Sequence, residues 1–145
     1  MNSSLFILLF NVTAGGRKDI FVYYGAHVDS TAAVNAAKKE IQRKGWKNDG
    51  LIAEKELKKD DLVVAANFGR FGGLYACVFQ LPAQNGGWCE GAYFAPVTAS
   101  DNHDAQIEVR KAFRLPPNVL ARFLTVERIP NEVIHEVCPP SHIEE

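Results

Sequence analysis

The chain has 145 residues and a formal net charge of −1, with 47% hydrophobic and 23% charged residues. This length favours a single domain over residues 1–145, and the composition is typical of a soluble globular protein. The charge balance argues against nucleic acid or an anionic membrane as a partner, and no apolar run is long enough to span a bilayer. Three cysteines are too few for a disulfide framework, so we expect a cytoplasmic protein.

The N-terminal part of the chain predicts a β-hairpin. Residues 5–12 are apolar at every position but one, which is typical of a strand buried on both faces. Gly15 and Gly16 supply a turn, and residues 20–28 are rich in β-branched and aromatic side chains. The two strands should therefore pair with each other.

Residues 30–44 give the clearest helical pattern in the chain. Asp29 or Ser30 can cap the first free N–H groups, and apolar residues follow at helical spacing. Gly45 and then Trp46 stand where a Schellman motif places its glycine and its hydrophobic contact. We predict a helix that ends at about Lys44.

The rest of the chain predicts mainly strands. A weak alternation from Leu51 suggests an edge strand, and an Asn85-Gly86 pair is typical of a tight hairpin turn. Strands are expected at residues 62–68, 74–81, 88–97 and 107–115.

Two assignments stay open near the C-terminus. Residues 118–128 carry an apolar stripe after Pro117 and favour a second helix, with a strand at 124–129 as the alternative. Residues 132–137 suggest a short strand, and the chain after about residue 138 a flexible tail. The predicted class is α+β, with a mostly antiparallel sheet of about six to seven strands and no evident internal repeat.

The stretch from Asn67 to Phe94 is rich in glycine and contains Cys89. Its glycines lie between predicted strands, not before a helix, so they favour turns over a phosphate-binding loop. Cys89 could form a catalytic group with His103, but its neighbour Glu90 would raise the pKa of the thiol. The apolar neighbours of Cys77 predict that it is a small core residue. The C-terminal His135, Cys138 and His142 are too few for a structural zinc site, and we expect no metal or cofactor.

Three hypotheses about function follow. The leading one is a non-catalytic protein that binds a protein partner or forms a homodimer, because both faces of the predicted 74–97 hairpin are apolar and need cover. The second is a protein that binds an apolar small molecule in an aromatic cavity. The third is an enzyme that uses Cys89 and His103. The residues proposed to line the cavity are Tyr23, Tyr75, Trp88 and Tyr93.

Overall fold

A computed structural model describes residues 3–67, 72–83, 86–87 and 93–139, without the side chains of 93–96. Within these residues the chain is α+β, as predicted, with six strands and four α-helices. The strands form two three-stranded antiparallel sheets, not the single larger sheet that we expected. One compact unit contains the residues up to 63 and those from 132 onward, and a second contains residues 64–131.

The expectation of one domain over residues 1–145 stays a prediction, because two compact units can belong to one domain. Most of the expected flexible tail lies outside the described residues.

The first unit begins with the predicted hairpin, β1 (Ser4–Ala14) and β2 (Arg17–His27). Gly15 and Gly16, with φ of 59° and 80°, form its two-residue turn, a conformation that few other residues adopt. Helix α1 (Ser30–Arg43) follows, and then β3 (Lys47–Leu57) pairs antiparallel with the other side of β1. The sheet order is therefore β2-β1-β3.

Helix α1 begins and ends as predicted. The Asp29 side chain accepts a hydrogen bond from the backbone N–H of Ala32 at 2.9 Å. At the other end the N–H groups of Gly45 and Trp46 bond to the carbonyls of Gln42 and Ile41, which is a Schellman motif. The buried helix residues Ala33, Ala37 and Ile41 pack on one face of β1, against Phe6, Leu8, Phe10 and Val12.

The second unit repeats this order of elements. Strands β4 (Gly73–Gln80) and β5 (Tyr93–Ala99) pair antiparallel, α3 (Asn102–Ala112) follows, and β6 (Arg122–Arg128) pairs with the other side of β4. Its sheet order is β5-β4-β6. Ala105 and Val109 of the helix pack with Tyr75, Cys77, Phe79 and Ala99 of the sheet.

A helical segment also follows the last strand of each sheet. After β3 come a 3₁₀ helix (Lys59–Leu62) and α2 (Val63–Ala66), and after β6 comes α4 (Asn131–Val137). Leu62 and Ile134 are both fully buried in these segments. The order strand, strand, helix, strand, helix thus occurs twice along the chain.

Many residues hold matching places in the two copies, and we call such residues equivalent. The equivalents of Asp29 and Ala33 are Asp101 and Ala105, each 72 residues further along, and Leu62 corresponds in the same way to Ile134. In the central strands β1 and β4, which precede the hairpin loops, equivalent residues are 69 positions apart, so Phe10 corresponds to Phe79. The second hairpin loop is therefore three residues longer than the first.

The edge strands β3 and β6 have the same irregularity at the same place. In β1, Leu9 pairs with Ala53 and the next residue, Phe10, pairs with Leu51. Ile52 is therefore left without a partner in β1 and forms a bulge. Between Val78 and Phe79 the pairing of β4 passes from Thr125 to Phe123, so Leu124 is bulged. Ile52 and Leu124 are equivalent residues, 72 positions apart. The chain is therefore built from a duplicated unit, which the sequence did not reveal.

Two predicted strands are helical. The expected strand at 107–115 lies mostly in α3, where Ala105 and Val109 are buried and Ile107 is exposed. The expected strand at 62–68 is the end of the 3₁₀ helix followed by α2 over its described part. In both segments the buried residues recur at helical intervals of three or four, whereas the predictions relied on apolar residues regardless of burial.

The C-terminal assignments were reversed. The predicted helix at 118–128 is wrong, because residues 122–128 form strand β6. The predicted short strand at 132–137 is wrong as well, because Asn131–Val137 is α4, which buries Ile134 and Val137. Pairing with β4 decides the first segment, and tertiary contacts of this kind outweigh local propensity.

The second hairpin is confirmed as an antiparallel pair, but its register differs from the expected one. Cys77 pairs with Ala95, not with Phe94 as a two-residue Asn85-Gly86 turn would require. Most of that loop lies outside the described residues. Every residue from Gly73 to Phe79 is buried within the single chain, on both faces of β4.

Candidate functional site

Of the four residues predicted to line an aromatic cavity, the structure describes the side chains of Tyr23 and Tyr75 alone, so the cavity stays a prediction. Tyr75 is 7% exposed and belongs to the core beneath α3, while Tyr23 packs against the α1 core of the other unit. Tyr93 pairs with Phe79 in the ladder, but its side chain, like all of Trp88, lies outside the described part. Of the two described side chains, that of Tyr23 also makes a polar contact with His27.

The predicted Cys89–His103 group cannot be placed, because Cys89 lies outside the described residues. His103 is exposed in the first turn of α3, beside Asp104. Hydrogen bonds from the backbone N–H and hydroxyl of Ser100 lower the pKa of Asp104. This carboxylate is thus engaged at the start of the helix, which is the local role that its position predicts.

The other two cysteines are buried free thiols. Burial raises the pKa of Cys77 to about 11, so this residue is a neutral core side chain, as its flanking apolar residues predicted. Cys138 lies just beyond α4 and is 4% exposed. The described part of the chain contains no group of three or more metal-ligating side chains close enough to hold an ion.

A polar pair lies on β2 above Gly25. The hydroxyl of Tyr23 lies 2.8 Å from Nε2 of His27, four residues along the same strand. A Cβ at Gly25 would lie 2.9 Å from that hydroxyl and 3.0 Å from Nε2, so the absence of a side chain allows the two groups to meet. Burial and the nearby Glu40 carboxylate raise the pKa of Tyr23. Tyr23 is therefore a side-chain partner of His27.

The equivalent positions in the second unit are Ala95, Val97 and Ala99. The same arrangement of strands and helix therefore forms without a tyrosine–histidine pair. The pair is a feature of the first unit alone and is not a requirement of the fold.

The outer edge of β3 is the most exposed part of the first sheet. Of its eleven residues only Leu57 is buried, and the apolar Leu51 and Ile52 are 42% and 43% exposed. One side of β3 pairs with β1, and no strand pairs with its other side in the described structure. An unpaired edge of this kind presents free backbone N–H and C=O groups.

An open cleft of about 690 Å³ lies in the first unit, where β1 begins and β3 ends. Its lining includes Ser4, whose hydroxyl donates to the Glu56 carboxylate at 2.7 Å. The remaining charged side chains of the lining come from the segment after β3 and from α4. They are Lys58, Lys59, Asp60 and Glu136.

No family model, curated protein or solved structure matches this chain. Within the described residues, no helix is both long and apolar enough to cross a membrane.

Proposed function

We propose that this protein is non-catalytic and acts by self-association, through pairing of β3 with β3 of a second copy. The supporting observation is the outer edge of β3, which is eleven residues long, unpaired in the described structure, and carries Leu51 and Ile52 more than 40% exposed. Addition of a strand to such an edge satisfies backbone hydrogen bonds and covers apolar side chains in one step.

The sequence of β3 is compatible with antiparallel pairing to itself. The strand runs from Lys47 to Leu57, so its midpoint is Ile52. Full-length pairing about a twofold axis would place Ile52 opposite Ile52 of the second copy. It would also place Asp49 of each copy opposite Lys55 of the other. Cross-strand apolar and opposite-charge pairs stabilise antiparallel sheets by roughly 0.2–1 kcal/mol each.

This proposal moves the expected dimer contact away from the 74–97 hairpin. The expectation assumed that one face of the hairpin needs cover from another chain, but both faces of β4 are buried within the single chain. The apolar residues of β3 remain exposed. The lysines and the bulges of β3 would restrict which strands can pair with it, because both features oppose indiscriminate edge pairing.

A matched pair of variants tests the proposal. Ile52→Lys places a charge at the centre of the proposed contact and should give monomer. Leu124→Lys changes the equivalent bulged residue of β6, which is 36% exposed, and should leave the oligomeric state unchanged. Light scattering after size exclusion distinguishes the outcomes. Equal masses for the two variants and the unmodified protein would contradict the role of β3.

We also propose a reducing, cytoplasmic location. The free thiols of Cys77 and Cys138 support it, because secreted proteins usually pair their cysteines.

A further inference from the structure

We infer that the cleft of the first unit is a binding site for a small zwitterionic ligand, one that carries both a carboxylate and an ammonium group. A free amino acid or a short peptide has this chemistry. The cleft volume of about 690 Å³ lies within the range of roughly 300–1,000 Å³ that is usual for small-molecule sites. The inference goes beyond self-association and does not depend on it.

The lining carries charges of both signs that do not neutralise one another. Lys58 and Lys59 provide cations, and Asp60 and Glu136 provide carboxylates. No ion pair joins any of these four side chains to another charged group in the described part of the chain. Both signs are therefore available to a ligand.

Glu56 is a carboxylate of the cleft lining that is held by a hydrogen bond within the fold. Its Oε2 accepts the hydrogen bond from Ser4, a residue that is only 8% exposed, so one end of this contact is fixed in the fold. The bond joins β1 to β3 across 52 positions of sequence. Glu56 can use its other oxygen for an ammonium group, because a carboxylate accepts several hydrogen bonds.

The second unit fills the equivalent place with its own side chains. The equivalents of Ser4, Glu56 and Lys59 are Gly73, Arg128 and Asn131. A Cβ at Gly73 would lie 3.3 Å from Oδ1 of Asn131 and 3.4 Å from Nε of Arg128, and Arg128 donates to the Gly72 carbonyl at 2.6 Å. The open cleft is thus a departure from the packing that the duplicated unit adopts elsewhere.

The lining chemistry selects the ligand class. An apolar ligand would desolvate charged groups without pairing them, which is costly. A simple anion would meet three carboxylates, and a simple cation would meet two lysines. A ligand with both charges can pair with each sign, and charge-assisted hydrogen bonds contribute about 1.5–3 kcal/mol each.

The test is a titration of ¹⁵N-labelled protein with alanyl-alanine, followed by amide chemical shifts. We expect saturable shifts at Ser4, Glu56 and Lys58, and at least roughly tenfold weaker binding for the N-acetylated and the C-amidated dipeptides. Lys58→Gln should weaken binding, whereas Lys39→Gln, on the exposed surface of α1, should not. Unfolding temperatures show whether each variant remains folded.

The titration is repeated on the Ile52→Lys variant, which is expected to be monomeric. If a second copy covers the cleft in the unmodified protein, this variant should still bind the dipeptide, whereas a cleft without affinity should bind it in neither protein. Saturable shifts in either protein support the inference. Absence of shifts in both at millimolar dipeptide, or equal affinity for the free and blocked dipeptides, would overturn it.

Discussion

Asp29 and Asp101 cap the two long helices with the same geometry. Oδ1 of Asp29 accepts a hydrogen bond from the N–H of Ala32 at 2.9 Å, and Oδ1 of Asp101 accepts one from Asp104 at 2.8 Å. The two aspartates are 72 residues apart and hold equivalent positions in the two units. The duplicated unit therefore retains its helix start as well as its strand order.

Removal of either cap should destabilise the protein by a similar amount. We expect Asp29→Ala and Asp101→Ala each to lower the free energy of unfolding by about 1 kcal/mol, because each leaves a helix N–H group without its partner. Asn substitutions are the controls and should be nearly neutral, since Asn caps equally well. Urea unfolding followed by circular dichroism measures the changes, and alanine variants as stable as the asparagine variants would contradict the assignment.

The helix ends provide a second matched pair. Gly45, with φ of 76°, directly follows the C-cap residue of α1, and Arg114, with φ of 53°, directly follows that of α3. A residue with a side chain costs roughly 1 kcal/mol in this conformation. We expect Arg114→Gly to raise the free energy of unfolding and Gly45→Ala to lower it by about that amount, as measured by urea unfolding. Changes of the same sign in both variants would show that one of the helix ends is misassigned.

Gly25 should be required for the Tyr23–His27 contact. An alanine there would press on both polar groups and separate them, and loss of a hydrogen bond typically costs about 0.5–1.5 kcal/mol. Gly25→Ala should therefore destabilise the protein, and the effect should shrink in a Tyr23→Phe background, which already lacks the hydroxyl. An undiminished effect in the double variant would mean that Gly25 acts without the pair.

Cys77 and Cys138 should not react with a thiol reagent in the native protein at pH 8, whereas denatured, non-reduced protein should show three thiols. The pKa of Cys77 is raised by burial to about 11, against an ordinary value of 9.0. The raised pKa favours the neutral thiol in the folded state. The contribution of this pKa shift to the free energy of unfolding is fully present below pH 9 and is lost as the pH rises towards 11. Rapid native labelling of Cys77 would contradict its burial.

The sequence predicts elements well where local signals are complete. Helix α1 has its cap, its apolar period and its Gly45 end, and it was predicted within one residue. Helix α3 has an equally good cap at Asp101, but its end falls on Arg114, which gives no glycine signal. The apolar Ile107, Val109, Phe113 and Leu115, which alternate with mainly polar residues apart from a break at Lys111, therefore resembled a strand.

The duplication was missed because equivalent residues share burial more than identity. Phe6 corresponds to Tyr75, Leu8 to Cys77, and Ala37 to Val109. The edge position of β3 was predicted from the weak alternation after Leu51, but the cleft and the bulge were missed for another reason. The Ser4–Glu56 contact joins residues 52 positions apart in sequence, and Ile52 lies at a bulge that only the strand pairing reveals.

Sedimentation equilibrium of the unmodified protein at micromolar concentration tests the proposed self-association most directly. Pairing of β3 with β3 of a second copy predicts a species of twice 16.0 kDa that Ile52→Lys, but not Leu124→Lys, reduces to monomer. A single species of 16.0 kDa for the unmodified protein across that concentration range would contradict the account.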